Sequence, residues 1–325
     1  MIRYGLCCIF HDQPVKFRHI TASSVIGLAE SERLRRLSAI CLDNSFALEQ
    51  ALLTVNLLGI GAFRIMSQIL PLYTHPQAGY VLEALPDAAA IIDKFAKVGE
   101  FHREHDIRLS FHPDQFIILS SPEERVFKNS LRELEYQCMV ADLTGAENVN
   151  IHLGGVYGSK ADAIERFAAR FPALPESVKR HLTLENDDIS YTVEDLYPLC
   201  MKLKIPLVYD VHHHRCNPDG LSVQQATELC AGLWRESGRE PHFHISSPKN
   251  GWNSGNSRPH ADYIDVNDFP ECWLDLDFTL DVEAKAKEAA ILRLREDLQR
   301  KFKRCGAPPE KSFLRKKRKI GEKAT

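Results

Sequence analysis

The sequence predicts an α/β fold, a (β/α)8 TIM barrel over residues 1–300, followed by a basic tail over residues 301–325. Three observations predict it. Eight short runs rich in β-branched, aromatic and aliphatic residues punctuate the chain. Amphipathic helical patterns or loops separate them, and that alternation is the mark of parallel βα units. The chain has 325 residues and 44% apolar content, which is long for one domain unless the fold is a barrel.

The elements follow in order. Ile2–Cys8 is the first run, and Ser23–Leu58 then holds one or two helices before the second run, Ala62–Ile65. Ala88–Arg103 has helical spacing and precedes Arg108–His112. Glu124–Leu143 leads to Asn148–Leu153, Ala161–Arg170 to His181–Asn186, and Val193–Leu203 to Pro206–His212. Ser222–Glu236 precedes His242–Ser246, and the last run, Leu276–Glu283, feeds a helical segment, Ala284–Arg300. No internal repeat is visible, and no linker splits the body before about residue 301.

Composition narrows the class. No apolar run approaches the ~18 residues of a membrane span. MIRYGLCCIF reads as a strand, without the apolar core and cleavage site of a signal peptide. Nine cysteines with no C-x-x-C argue against a disulfide framework or a cysteine zinc site, and for a reducing cytoplasm. The segment from Lys301 to Lys323 carries ten Lys/Arg against two Glu, a net of +8, which leaves −11 on the rest of the chain. Such a tail is a solvated segment or a grip on phosphate backbones. An acidic body that must meet a polyanion needs cations in its site.

Barrel chemistry sits at the carboxyl ends of the strands. The third run ends in FHPDQF, with His112, Asp114 and Gln115; the fourth in NIHLGG, with His152; the fifth in TLENDD, with Glu185 and Asn186. The sixth ends in YDVHHH, the seventh is HFHISSP with His242 and His244, and the eighth ends in DVEAK with Glu283 and Lys285. Counting His260 in the following loop, eight of the fourteen histidines fall at or just after these ends. A single histidine there is more often a satisfied polar residue than a ligand, and Glu185 or Asp210 alone reads as a rim ion pair. Together they converge on one mouth, where clustered carboxylates need a cation. Mixed imidazole and carboxylate donors suit Zn²⁺, Mn²⁺ or Fe²⁺, with room for more than one ion. Such sites hydrolyse phosphodiesters by activating water.

Other features are more ambiguous. GGVYGSK, Gly154 to Lys160, lacks P-loop spacing and is a plain turn or a phosphate-binding loop with Lys160. Arg64 is a rim ion pair or a phosphate contact, and Phe116 is packing or a base-stacking side chain. Cys216 reads as a bystander. The loop from Ser246 to Asp265 is long enough to be functional, with Trp252 as cover or anchor.

The series FHPDQF, NIHLGG, LENDD, YDVHHHRCNPDG, HFHISSP, RPHADYID and VEAKAKE resembles the UV damage endonuclease family, of the bacterial UvsE type, from Met1 to about Arg300. The resemblance implies a barrel similar to endonuclease IV with three divalent metals, manganese above all, at its mouth. It implies ATP-independent nicking of duplex DNA 5′ to cyclobutane dimers and 6-4 photoproducts, leaving a 3′-hydroxyl and a 5′-phosphate. The implied ligands are His112, His152, Glu185, Asp210, His213, His244, His260 and Glu283. Gln115 and Phe116 match the pair that enters the duplex, and Arg64 and Lys160 join them as DNA-contact candidates. Glu185, His242 and Lys285 are the catalytic candidates; His242 fills a position that can be lysine, as ligand, phosphate contact or acid/base. Phe116 replaces a tyrosine that members can carry, and Leu6 stands where some have an aromatic lesion contact. A monomer is the simplest expectation. The alternatives are a sugar isomerase of the xylose-isomerase-like class and an abasic-site endonuclease. A scaffold that only stores metal or binds DNA would waste the convergence of ligands.

Strand alternation alone pairs Asp210 with His212. The resemblance instead places the ligand at His213, which requires the strand to end near Val211 and turn. His214 then faces DNA or supports the site, and His212 is left for packing or a hydrogen bond.

Overall fold

The computed structural model describes residues 1–303. Eight parallel strands close into a barrel in chain order: β1 (Ile2–Cys7), β2 (Ala62–Ile65), β3 (Arg108–Phe111), β4 (Asn148–His152), β5 (Leu182–Glu185), β6 (Leu207–Asp210), β7 (His242–Ile245) and β8 (Phe278–Val282). Five β1 residues, Ile2 to Leu6, pair with Phe278 to Val282 and close the ring. The helices are α1 (Glu30–Leu57), α2 (Ala88–Glu104), α3 (Glu124–Thr144), α4 (Lys160–Arg170), α5 (Glu176–His181), α6 (Val193–Leu203), α7 (Val211–Cys216), α8 (Val223–Glu236) and α9 (Lys287–Lys303).

All eight expected runs are strands, each trimmed by up to two residues at an end. Ser23–Leu58 holds one long α-helix. His181 closes α5 instead of opening β5. The last helix starts at Lys287 and runs on to Lys303, so the first three residues assigned to the tail belong to the barrel's outer layer. The remainder of the expected tail lies outside the described residues. No described helix is long and apolar enough to cross a membrane.

Local chemistry sets several boundaries. Thr192 and Asp195 form a capping box at the start of α6, and Ser222 and Gln225 form another at α8. Gly145, with φ of 75°, ends α3 in the left-handed conformation glycine adopts without penalty.

Strand alternation divides the side chains cleanly. Tyr4, Leu6, Phe63, Ile65, Leu109, Phe111, Ile151, Leu184, Tyr209, Phe243 and Leu280 belong to the apolar core between strands and helices. Leu6, which departs from the aromatic found at that position in some members, is fully buried there because its face of β1 looks toward the helix layer. The alternate residues fill the barrel itself, and many are polar. Barrel interiors ordinarily hold bulky branched side chains. Here Asn148, Asn150, Thr183, Glu185, Asp210, His242, His244, Thr279 and Asp281 are buried instead. They bond one another: Thr183 Oγ1 donates to Asn150 Oδ1 at 3.0 Å, and Asn150 donates to Glu185. The polar column is what carries the site down from the mouth into the barrel.

Candidate metal centre

Glu185 stands at the last position of β5, fully buried. His112 follows β3, and its Nε2 lies 3.0 Å from Glu185 Oε2. His244, in β7, brings Nδ1 to 3.1 Å from Glu185 Oε1 and 3.5 Å from Glu283 Oε1. The His152 ring, from the end of β4, lies 5.2 Å from His112 and 5.7 Å from His213. His260 reaches in from the loop after β7, with Nδ1 3.7 Å from Glu283 Oε2. An antiparallel bridge between Pro248 and His260 holds that loop over the mouth.

The three-histidine run resolves by helix geometry. β6 ends at Asp210, and α7 begins at once at Val211. Asp210 caps that helix: its Oδ1 accepts from the His213 backbone N–H at 2.8 Å. A helical step of three returns His213 to the mouth, with Nδ1 3.3 Å from Glu185 and 3.7 Å from Asp210 Oδ2. His212 turns to Arg258 O and lies 5.2 Å from the Trp252 ring. His214 is buried between Tyr209 Oη, at 2.6 Å, and Asp219 Oδ1, at 3.1 Å. It does not face DNA. Cys216 Sγ sits 3.6 Å from His212 Nε2 and 3.5 Å from Ser257 Oγ.

Among the described residues, four sets of three donor atoms lie within 4.8 Å of one another: His112/His152/Glu185, His112/His244/Glu283, Glu185/Asp210/His213 and His242/His244/Asp281. The first three contain only residues expected as ligands. Burial pushes the Glu185 carboxyl up, but His244, His152 and His112 outweigh it and hold it well below the usual range. Burial likewise opposes the charge on His213, yet Asp210 and Glu185 raise its pKa well above the ordinary value. Glu283 is pulled down chiefly by Arg64 and His244 against its burial. The neighbouring positive groups thus favour the charged form of Glu185 and Glu283, the form that can act as a donor.

The fit to cations is testable on unpartnered atoms. Asp210 Oδ2, His112 Nδ1 and His152 Nδ1 are buried without a hydrogen-bond partner. Each such atom costs ~1–3 kcal/mol, which a bound cation would relieve at Asp210. The donors, imidazoles and carboxylates without thiolate, match Zn²⁺, Mn²⁺ or Fe²⁺.

Other candidates fall elsewhere. Arg64 is inside the barrel, bonded to Asp281 and Glu283, with 9% of its side chain exposed. Of its two readings, the ion pair holds, because its face of β2 points inward. His242 opens β7 and lies below the mouth, not at a carboxyl end; burial lowers its pKa to about 4. Lys160 Nζ pairs with Asp195 at 2.6 Å. Lys285 is exposed, and its backbone N–H donates to Ala261 O at 3.1 Å, beside His260. Gln115 and Phe116 are exposed in the loop after β3, Phe116 by 75%. Trp252 anchors its loop by donating to Asp268 Oδ1 at 2.7 Å. Sequence reasoning missed Asp281 and Asn150. The signal was present: in DVE and NVNIH the polar residues alternate, so Asp281 shares the face of Glu283, and Asn150 that of His152.

The family model of UV-endonuclease UvdE matches residues 2–308. The UV DNA damage endonuclease of Bacillus velezensis is 34% identical over 316 residues, covering 92% of this chain and 94% of the relative. The chain belongs to the UV DNA damage endonuclease family. Its Bacillus thuringiensis relative of the same name is 34% identical, with 74% of this chain and 75% of the relative covered. The crystal structure of SacUVDE superposes with a TM-score of 0.81 at 26% identity, covering 93% of this chain and all of that one. Endonuclease IV from Thermus thermophilus, at 19% identity, covers 92% of this chain and 99% of that one with a TM-score of 0.57 and shares the fold. Membership makes the chain an endonuclease and sets aside the sugar-isomerase alternative, whose likeness extends to the barrel alone.

Proposed function

We propose that this endonuclease hydrolyses the phosphodiester on the 5′ side of ultraviolet photoproducts in duplex DNA, cyclobutane dimers and 6-4 products alike, with divalent metal and without ATP. The observation that carries the metal dependence is the sharing of Glu185 between two donor sets, His112/His152/Glu185 and Glu185/Asp210/His213. Glu283, His244 and His260 complete the constellation. Manganese is the proposed ion, with zinc or another first-row ion as substitutes. Bound divalent ions supply an activated water and charge stabilisation on the phosphoryl and leaving oxygens.

The chain's own groups do the rest. Glu185 and Asp210, fixed by Asn150 and by the α7 cap, hold the donor sets in place. Lys285 is an exposed cation at the mouth for a phosphate oxygen. His242 lies too deep to meet DNA and supports the cluster from beneath. Gln115 and Phe116 fill the gap left by an extruded lesion. Damaged pairs stack weakly and flip at lower cost, which allows one site to accept dissimilar lesions.

The test is nicking of irradiated supercoiled plasmid with Mn²⁺, beside unirradiated and abasic plasmids. Wild type should nick the irradiated plasmid, chelation should stop it, and Glu185→Gln should abolish nicking while retaining DNA binding. Cutting of the abasic plasmid alone would reassign the lesion, and full activity of Glu185→Gln would remove the proposed centre.

A further inference from the structure

The fourth donor set differs from the other three. His242, His244 and Asp281 each offer a buried donor atom, the three lying within 4.8 Å of one another. Two imidazoles and a carboxylate would suit zinc as well as the outer sets do. Arg64 already takes donors from two of the three, Asp281 and His244. Arg64 Nη2 lies 2.8 Å from Asp281 Oδ2 and 3.1 Å from His244 Nε2, and its Nε lies 3.0 Å from the same Oδ2. The remaining nitrogen, Nη1, is 2.7 Å from Glu283 Oε1. Guanidinium has donors only and keeps its charge inside proteins. Asp281 Oδ2 and His244 Nε2 are therefore committed, and although both His242 ring nitrogens and Asp281 Oδ1 are left without a hydrogen-bond partner, an ion there would meet a fixed positive charge at contact.

The neighbouring backbone accommodates this pairing. Gly5 is the β1 partner of Asp281 in register, and a Cβ there would fall 2.0 Å from Asp281 Oδ1. Glycine at that point leaves space for the carboxylate that binds Arg64.

We propose that Arg64 is a built-in cation that occupies the deepest donor set, excludes a divalent ion from it, and positions Glu283 for the outer sets. This rests on the metal reading above and assigns Arg64 as a positioning residue, not a DNA contact.

The experiment counts Zn²⁺ bound to metal-free full-length protein by equilibrium dialysis with elemental analysis. Arg64→Met should bind one equivalent more than wild type, and the added Asp281→Asn substitution should remove it. Arg64→Lys, which keeps a charge there, should match wild type. Saturating Zn²⁺ should raise the Arg64→Met unfolding midpoint more than that of wild type. An unchanged or lower count in Arg64→Met overturns the proposal. Should Arg64→Met fail to fold, Asp281→Asn with Arg64 intact decides the matter. It should bind as many ions as wild type, and loss of one equivalent would show Asp281 to be a resident ligand. The wild-type count tests the metal reading separately: zero bound Zn²⁺ sinks that reading, whereas the difference between variants tests Arg64.

Discussion

Three adjacent histidines that the chain sends in three directions allow one crossed experiment. His213→Ala removes a donor from the Glu185/Asp210/His213 set, whose side chain is only 13% exposed. Loss of an outer partner of a metal ligand costs ~10–100-fold in metal affinity, and loss of the ligand itself should exceed that. His214→Ala touches no carboxylate of the centre. It strips the Tyr209 hydroxyl of its 2.6 Å partner and Asp219 of a 3.1 Å contact. A buried polar group left unpaired costs ~1–3 kcal/mol, and the cavity left by the ring adds to it. A total of ~2–4 kcal/mol lowers the unfolding midpoint by about 3–6 °C at this chain length. His212→Ala loses its contacts to Arg258 O and Cys216 Sγ, and should keep wild-type metal content with a midpoint between those of wild type and His214→Ala. The assays are bound metal per chain and the unfolding midpoint of metal-free protein. His213→Ala should move the first and His214→Ala the second. Wild-type metal content in His213→Ala, with loss in His214→Ala, would refute the helical-turn assignment.

Three further outcomes follow from the same geometry. Phe116→Ala should weaken binding to irradiated duplex by ~5–150-fold in anisotropy titrations, the equivalent of ~1–3 kcal/mol of base stacking. Its midpoint should not change, because the ring is 75% exposed, and Phe116→Tyr should restore binding. Gly5→Ala should cost ~1–3 kcal/mol by overpacking against Asp281. Gly27→Ala, where a Cβ meets nothing within 4 Å, should be silent in the same melt. For pH, burial raises the Glu240 carboxyl, but Arg3, with Thr279, lowers it further, so its folded pKa lies below the ordinary 4.5. A carboxyl depressed in the folded state stabilises above its unfolded pKa and ceases to do so as pH falls through the folded value. The gap in midpoint between wild type and Glu240→Gln should therefore be full at pH 6 and shrink below pH 4.5; a constant gap would exclude the ion pair as its cause.

The sequence by itself determined the barrel, because eight β-rich runs and their intervening helical periods admit few other closures. It also marked the candidate donors: His112, His152, Glu185, Asp210, His244 and Glu283 stand at strand ends, and a barrel gathers strand ends whatever their separation in sequence. Tertiary structure decided direction. His212, His213 and His214 are chemically alike on paper. The stop of β6 at Asp210 and the immediate helical turn select His213, because a period of two gives way there to one of 3.6. Leu6 and Arg64 are neighbouring choices of face, one outward into the helix layer and one inward to Asp281. His242 and His244 share a face of β7 but differ by one layer of depth, which only the register of the closed barrel fixes. Asp281 lay hidden for the same reason. A carboxylate in mid-strand declares its role only when Arg64, distant in sequence, is brought within 2.8 Å of it.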